Sequence, residues 1–565
     1  MMIRHAFSKI VLIIIVLLFI SASGCINFIP ETQNLEPVSD EYYAEMDTVL
    51  YPYIQTINDE MKTMTAAVWN AARELDGVPA DDPAVALALL KLKSEIPLST
   101  DIGLVDKDNI LLAITDEADN LQLIGTEITT NQYTEDEFKA AGPACIISEY
   151  ITFRTGERGI KIIAPVYDAE GNFDGTLQVA FDVGYLFSGP VEELRTEYGY
   201  TVWVTQDNGV VIYDQDTPEI GGDLTIPSSI YTPSFTAAAA DILDNESGHV
   251  SYRSYMQGSN NISQTNAVWE TVEPGYGATW RVVLIDTLPR PHEITDRINT
   301  PEELKAFVVN AYVYANTEGR EKAIAAFNDP NGKFIDGELY IFAGDMNGTV
   351  LSVPYQPALI GKNAWFLEDQ NGVKFVQRTI ARAEQGGGYV LYLYANPNQD
   401  YSRELKLSYV LPIDNEWYIG AGMYEHNASF SHTFSVDWRT RNELIKQVRT
   451  MRYLAAVKGI PAVTEMMMDP NSEFQREGLY PFAVTGNGTV LAFSKDPALI
   501  GTNLLGSVNS YGMSFVREGI SLGKAGGGLM YSLAWDAILQ KEMYVLDYVE
   551  PVGNDTYFAS YIILE

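Results

Sequence analysis

The sequence predicts an α+β protein of tandem antiparallel sheets with long helices ahead of them, and three observations carry that prediction. The first is a duplication. Residues 347–363 read NGTVLSVPYQPALIGKN and residues 487–503 read NGTVLAFSKDPALIGTN, 140 positions apart. The same offset pairs Asp329-Pro330-Asn331 with Asp469-Pro470-Asn471, Leu339-Tyr340 with Leu479-Tyr480, Phe375-Val376 with Phe515-Val516, and Gly386-Gly387-Gly388 with Gly526-Gly527-Gly528. One residue is lost after the glycines, so Tyr409-Val410 aligns with Tyr548-Val549 and the copies span 300–430 and 440–565. Solenoid repeats run about 20 to 50 residues, so a period this long belongs to tandem domains. The second observation is an apolar stripe at helical spacing near the N-terminus, and the third is a series of β-rich runs bounded by turn sequences.

Taken in order, the first 25 residues have Arg4 and Lys9, an apolar run over 10–20, and then Ser21-Ala22-Ser23-Gly24-Cys25. That reads as a secretory signal, because 11 apolar residues fall short of the roughly 20 that span a bilayer. Residues 26–39 are polar and contain proline, which suits a tether. Tyr43, Met46, Leu50, Tyr53, Ile57, Met61, Met64, Val68 and Ala72 then recur at three- and four-residue spacing, predicting a spine helix of about 35 residues and leaving open whether Pro52 interrupts it. Strand signals follow at 102–112, 146–153, 159–166 and 177–183, and a second set lies at 201–205, 209–213, 249–255 and 280–285. Each copy of the repeat has its own helix, carrying Leu304, Phe307, Val308, Ala311 and Ala315 in the first and Leu444, Val448, Met451 and Ala455 in the second. In the first copy, strands at 339–344, 348–353, 388–394, 404–411 and 416–424 predict a five-stranded meander with a helix at 373–384 inserted on one side. That is a PAS-like plan.

Composition narrows the function. The 565 residues include 75 Asp plus Glu against 37 Lys plus Arg, a net charge of −38. Such a balance repels nucleic acid and anionic lipid at long range, so nucleic-acid binding is not expected. The acidic residues are dispersed and read as a solvated surface. Cys145 is the one cysteine besides Cys25, so with Cys25 lipidated no internal disulfide is expected. Nothing after the signal approaches 18 consecutive apolar residues, and no cytoplasmic output domain is expected.

The NGTVL turn, the P-A-L-I-G-K-N segment, the helix, the glycine cluster and the closing Trp417-Tyr418-Ile419-Gly420-Ala421-Gly422 together resemble the single Cache domain of extracytoplasmic sensors. The second copy is similar but diverged, since its closing Tyr557-Phe558-Ala559-Ser560-Tyr561 has lost both glycines. Residues 40–290 are similar to the double Cache domain, with Ala164-Pro165-Val166-Tyr167-Asp168 and Phe173-x-Gly175-x-Leu177 in a distal lobe, and Asp207-Asn208-Gly209-Val210-Val211 and Ile220-Gly221 in a proximal one. Small residues before Cys25 resemble a lipobox, which implies a lipid-modified Cys25 and an extracytoplasmic chain anchored to the membrane. The implied organisation is a signal peptide (1–25), a tether (26–39), a double Cache domain (40–290) and two single Cache domains (300–430 and 440–565).

The resemblance implies a binding protein for a small organic ligand, whether amine, amino acid or carboxylate. Amino-acid binders of the family carry an Arg-x-Trp-Tyr segment where this chain has Glu135-Asp136-Glu137-Phe138, so the carboxylate-clamping arginine is missing. Tyr150 and Asp182 match the later motif positions, Arg154 is a substitute clamp, and an amine is favoured over an α-amino acid in the distal lobe. In the first single Cache domain, Tyr340, Phe342, Tyr392, Tyr394, Lys406 and Tyr409 alternate along three strands, and period-two geometry can bring several to one face. Tyrosine hydroxyls plus one ammonium suit a small carboxylate. Related domains often place a His-Pro where this chain has Val353-Pro354 and Phe493-Ser494, so no pocket histidine is expected. The second copy has Val545 for Lys406, and Ser532 and Ala534 for Tyr392 and Tyr394, which makes it the weaker candidate.

No catalytic constellation accompanies these residues. His5, His249, His292, His426 and His432 form no zinc-protease pattern, the only faint metal grouping is His426 and His432 beside Asp437, and neither G-x-S-x-G nor a P-loop occurs. No enzyme, cofactor or metal is expected. Sequons stand at Asn245, Asn261, Asn347, Asn427, Asn487 and Asn554. The expected function is a lipid-anchored sensory binding protein that works through a membrane receptor, kinase or transporter. The alternatives are a substrate-binding component of an uptake system and a ligand-free cell-surface or adhesion protein.

Overall fold

A spine helix organises the chain in the computed structural model. The structure describes residues 35, 37–115, 123–128, 132–153, 157–214, 220–226, 232–255, 262–287, 300–336, 338–397, 403–424, 436–536 and 539–564. Cys25, Arg154, His426 and His432 lie outside the described residues. Helix α1 (Asp40–Glu74) starts at Ser39, whose side chain accepts from the Tyr42 backbone N–H at 3.3 Å, and Asp40 and Glu41 occupy its positive end. It runs unbroken through Pro52, and all nine stripe residues are buried. Tyr43 stacks on His249 at 4.3 Å. Helix α2 (Pro83–Glu95) follows, capped by Asp82.

Among the described residues four sheets of five or six strands succeed one another. The distal lobe has β1 (Ser99–Asp106), β2 (Leu111–Ile114), helix α3 (Glu135–Ala141), β3 (Ile146–Ile147), β4 (Ile151–Thr152), β5 (Arg158–Tyr167) and β6 (Phe173–Phe181), in the order β2-β1-β6-β5-β3 with β4 also on β5. Helix α4 (Val183–Tyr198) leads to the proximal lobe: β7 (Thr201–Gln206), β8 (Val211–Tyr213), α5 (Pro233–Asp244), β9 (Ser247–Tyr255), β10 (Ile262–Gly275) and β11 (Ala278–Thr287), ordered β8-β7-β11-β10-β9. The first repeat copy has α6 (Pro301–Glu318), α7 (Arg320–Phe327), the short pair β12 (Ile335–Asp336) and β13 (Leu339–Tyr340), then β14 (Phe342–Asp345), β15 (Val350–Ser352), α8 (Phe375–Glu384), β16 (Gly388–Ala395), β17 (Arg403–Pro412) and β18 (Trp417–Tyr424). The second has α9 (Trp438–Lys458), α10 (Ile460–Met468), β19 (Tyr480–Thr485), β20 (Val490–Phe493), α11 (Phe515–Lys524), β21 (Gly528–Asp536), β22 (Lys541–Val552) and β23 (Thr556–Ile563). Their sheets run β15-β14-β18-β17-β16 and β20-β19-β23-β22-β21.

With β4 of the distal lobe set aside as lying off the path, all four of these sheets have the PAS-like spatial order second, first, fifth, fourth, third. The meander expected for the first copy is corrected: its last strand inserts between the first and the fourth. The reason is visible in β18, which is buried at every residue but Met423 and so needs a partner on both edges and cover on both faces. The repeated triple glycine serves the turn into the third strand. Gly387 has φ +98°, and a Cβ there would stand 2.5 Å from the Val410 carbonyl oxygen.

The helices α6 and α9 bury Leu304, Val308, Ala311 and Ala315, and Leu444, Val448, Met451 and Ala455, in one core shared by the two copies. Arg449 on α9 ties the second copy to the distal lobe. Its guanidinium donates to the carbonyls of Lys93, Ile96, Pro97 and Ser99 at the C-terminal end of α2, and to Glu550 at 3.1 Å. The Lys93 carbonyl is one of the acceptors a helix end leaves unsatisfied, and the other three belong to the segment that leads from α2 into β1.

Candidate functional site

In the first repeat copy, α8 lies over the sheet and leaves a cavity of ≈ 60 Å³ beneath it. A single water needs about 10 to 15 Å³ on this measure, so the cavity holds about four to six water-sized groups. Phe375, Val376 and Thr379 of the helix form its roof, and Tyr340, Phe342, Tyr392, Tyr394 and Tyr418 line its sheet side. The lining residues include no charged side chain. Three hydroxyls already have partners: Tyr392 with Ser408 Oγ at 2.9 Å, Tyr394 with Gln356, and Thr379 with the Phe375 carbonyl at 2.8 Å. Phe375 stacks on Tyr392 with centroids 4.8 Å apart, fixing roof to floor.

Lys406 lies behind this lining. It is fully buried, and its ammonium donates to the hydroxyls of Tyr340 at 3.0 Å and Tyr424 at 3.4 Å. It also stands 4.2, 5.1 and 4.9 Å from the ring centroids of Tyr340, Tyr394 and Tyr424, within cation–π range. Burial pushes its pKa down to about 7, with the charge of Glu338 pulling the other way. Gly422 makes the room, because a Cβ there would stand 2.5 Å from Lys406 Cε and 2.4 Å from Ser408 Oγ. Tyr340 and Tyr424 are themselves held neutral by burial.

Of the residues singled out from sequence, Tyr340, Tyr392 and Tyr394 come together at the cavity, with Lys406 one layer behind. Tyr409 does not join them. Antiparallel partners project to one face: Tyr392 is opposite Lys406, whereas Tyr409 is opposite Tyr389. The odd spacing between Lys406 and Tyr409 puts Tyr409 on the α6 side of the sheet, packed edge-on against Tyr389 at 4.8 Å, and it is withdrawn as a lining residue. Sequence reasoning missed the roof residues and Tyr418, although both lie inside motifs it quoted. Trp365 packs in the loop beside Gly348.

In the distal lobe, Asp182 caps α4, accepting from the Gly184 N–H at 2.7 Å. It is half-buried. Burial raises its pKa to about 6, the Gly184 hydrogen bond lowers it, and the ion-paired Glu157 and Lys374 act in opposite directions. Tyr150 stands close enough for the Asp182 charge to raise its phenol pKa further above an already burial-raised value. Its backbone N–H donates to Gln206 of the proximal lobe at 3.0 Å, which puts both residues at the seam between lobes.

The second copy has refilled its chamber. Phe482, Phe493 and Phe515 pack with Tyr561, which occupies the position of Gly422. A lysine returns from another direction: Lys495 sits 4.1 Å from the Tyr480 ring and pairs with Asp536 at 2.7 Å. Among the described residues no group of side chains could hold a metal ion, and no helix is long and apolar enough to cross a membrane.

Residues 309–432 match the family model of single Cache domain 2, and residues 59–182 match that of the HK/GC/chemotaxis protein-like sensor domain. The first match lies over the cavity just described and the second over the spine helix and the distal lobe, so two separate segments of the chain are similar to sensor-domain families. No curated protein matches it. Among solved structures it is similar to an extracellular ligand binding receptor from Desulfohalobium retbaense, at 20% identity over 43% of this chain with a TM-score of 0.35. The match spans 40% of that receptor's chain. It is also similar to the ligand-binding domain of the Pseudomonas aeruginosa amino acid chemoreceptor PctC in complex with GABA (16% identity, 43% of this chain and 99% of that one, TM-score 0.31). A third is the ligand-binding domain of the Pseudomonas fluorescens chemoreceptor CtaA in complex with L-alanine (13%, 44% and 96%, 0.29).

Proposed function

We propose that this protein is an extracytoplasmic sensory binding protein, lipid-anchored through Cys25, that takes a small carboxylate under α8 and passes occupancy to a membrane receptor or kinase. The observation that carries this reading is the pairing of Tyr340 with Lys406. The Tyr340 oxygen accepts from the ammonium at 3.0 Å, its hydroxyl also has a side-chain hydrogen bond with Tyr424, and Tyr340 lines the cavity, so this hydroxyl couples the buried cation to the cavity wall. A carboxylate there meets a phenol backed by a cation one layer behind. The apolar roof limits the ligand to a short chain. The name of the relative solved with GABA indicates that a related sensor domain accommodates a small carboxylate-bearing molecule. The chemistry is binding, not catalysis.

The supporting path outward starts at the cavity wall. Leu367 lines the cavity, and a few residues along the same loop Lys374 pairs with Glu157 of the distal lobe, the Gln370 carbonyl accepts from Arg441 of α9 at 3.2 Å, and Asn371 donates to Tyr531 of the second copy at 2.6 Å. Ligand that favours one setting of this loop shifts the population of the whole assembly.

Thermal unfolding of the purified chain against acetate, propionate, lactate, simple amines and amino acids tests the reading. Ligand at 100 times its dissociation constant adds about 2.7 kcal/mol to the domain that binds it. A carboxylate-specific shift that Tyr340→Phe and Lys406→Met both reduce is the expected result. A shift given only by amines would refute the carboxylate assignment.

A further inference from the structure

The fourth residue of α8 is Arg378 and the fourth of α11 is Glu518, so the two occupy one station of the repeat, 140 positions apart. They pair with each other across the boundary between the copies, Arg378 Nη2 to Glu518 Oε2 at 3.0 Å, and Arg382 of α8 reaches the other Glu518 oxygen. Equivalent residues meet in this way where two copies face each other about a local two-fold axis, and the third strands of the two sheets, β16 and β21, also touch. Identical copies would set arginine against arginine or acid against acid there. The duplicated chain has exchanged one for the other, and each side chain of the pair is 12% exposed.

Next to this pair the second copy buries a carboxylate that nothing holds. Asp547 on β22 is fully buried, and neither of its oxygens has a hydrogen-bond partner. It stands at the station of Ser408, whose hydroxyl bonds Tyr392 in the first copy at 2.9 Å. Ser532 stands where Tyr392 does, and the bond is lost. The charges that act on Asp547 are those of Arg378 on α8 and Glu518 on α11. Its neighbours across the strands are Met530 on β21 and Tyr561 on β23, whose phenol feels the Asp547 charge. Burial raises the Asp547 pKa well above the ordinary carboxylate range, Arg378 lowers it and Glu518 raises it. The Nε groups of Arg378 and Arg382 are buried and without acceptors. Two carboxylates thus compete for the same guanidiniums, one of them paired and one unpaired.

We propose that Arg378 is a latch between the two copies, resting on Glu518 while Asp547 is protonated and turning to Asp547 when that carboxyl ionises. Arg378 lies among Phe375, Val376 and Thr379, the roof of the first copy's cavity, so the latch sets how the roof sits. The second copy, whose own chamber is refilled, then reads protons and regulates the first. The latch belongs to the fold alone, and its effect on binding rests on the cavity taking a carboxylate. The folded pKa of Asp547 lies above the unfolded one, so its contribution to stability is present in acid and is lost as pH rises through the folded value. Helix α8 therefore loosens as pH rises.

Infrared spectra and hydrogen exchange of the ligand-free full chain test the latch. At pH 5 the unaltered chain should show the carbonyl stretch of a protonated carboxyl that Asp547→Asn lacks. Glu518→Gln, which frees Arg378 for Asp547, should lose the same band. Between pH 5 and pH 9, α8 peptides of the unaltered chain, corrected for intrinsic rates, should come to exchange about five- to thirtyfold faster than those of Asp547→Asn, whose amide cannot ionise. Equal α8 exchange in the two chains at every pH, or a carboxyl band that survives in Glu518→Gln, overturns the latch. Calorimetric titration with sodium propionate then separates it from the reading of the cavity. Affinity should fall with pH more steeply in the unaltered chain than in Asp547→Asn, and equal slopes overturn the control of the roof. If neither chain binds propionate while band and exchange behave as stated, the latch stands and the carboxylate reading of the cavity fails.

Discussion

Lys406→Met is the most informative substitution. The lysine pKa falls from its ordinary value of 10.5 to about 7 in the folded chain, so between those values the unfolded state holds a proton that the folded state lacks. Stability must then rise with pH through that window, by up to about 1.4 kcal/mol per unit. Below pH 7 both states hold the proton and the full cost of burying the ammonium is present. Above pH 10.5 neither does and the cost is gone. From pH 6 to pH 9 the gain is about 2 to 3 kcal/mol, and methionine abolishes it while filling much of the same volume. A multi-lobe chain need not unfold in one step, so the suitable assay is hydrogen exchange of peptides from β17 and β18, corrected for intrinsic rates, at pH 6, 7, 8 and 9. The unaltered chain should gain protection relative to the variant as pH rises. Parallel profiles would mean that Lys406 is ordinarily protonated throughout, and the argument from its burial would be wrong.

Three further outcomes follow from the packing. Gly422→Ala drives a methyl into Lys406 and Ser408 and should destabilise the first repeat copy by about 1 to 3 kcal/mol; combining it with Lys406→Val should cost less than the sum, and strict additivity in exchange measurements would count against the close approach. Arg449→Met strands the carbonyls around α2 and leaves the buried Glu550, whose pKa two arginines hold near 2, one cation short. The expected loss is about 3 to 5 kcal/mol, read as faster proteolysis at the junction between the distal lobe and α9. Asp182→Asn keeps an N-cap acceptor while removing a carboxylate whose pKa is raised to about 6. Its folded value lies above the unfolded one, so the native charge costs stability above pH 6, and the variant should gain a few tenths to about 1 kcal/mol at pH 8 relative to pH 4 after allowance for solvent screening.

The sequence by itself determined the architecture to a considerable depth. The 140-residue offset, the stripe from Tyr43 to Ala72 and the turn-bounded strands predicted two duplicated modules behind a spine helix, because periodicity and turn chemistry are local properties of a chain. Local sequence left open whether Pro52 interrupts the helix; it does not, and Leu50, Tyr53 and Ile57 on both sides of it are buried. Four of the six aromatic or lysine candidates in the first copy, Tyr340, Phe342, Tyr392 and Tyr394, line the cavity, and Lys406 backs it, because all five share one strand parity or pair across strands. Tyr409 was separable from Lys406 by parity alone, an inference the alternation already allowed.

What only the tertiary structure decided was which polar groups are left without a full set of partners. The order second, first, fifth, fourth, third depends on long-range pairing that no local signal encodes, and it is this order that sets β18 beside β14 and brings Tyr340 to Lys406. Whether a buried lysine is paired is a property of the space around it, and that space is assembled from residues far apart in the chain.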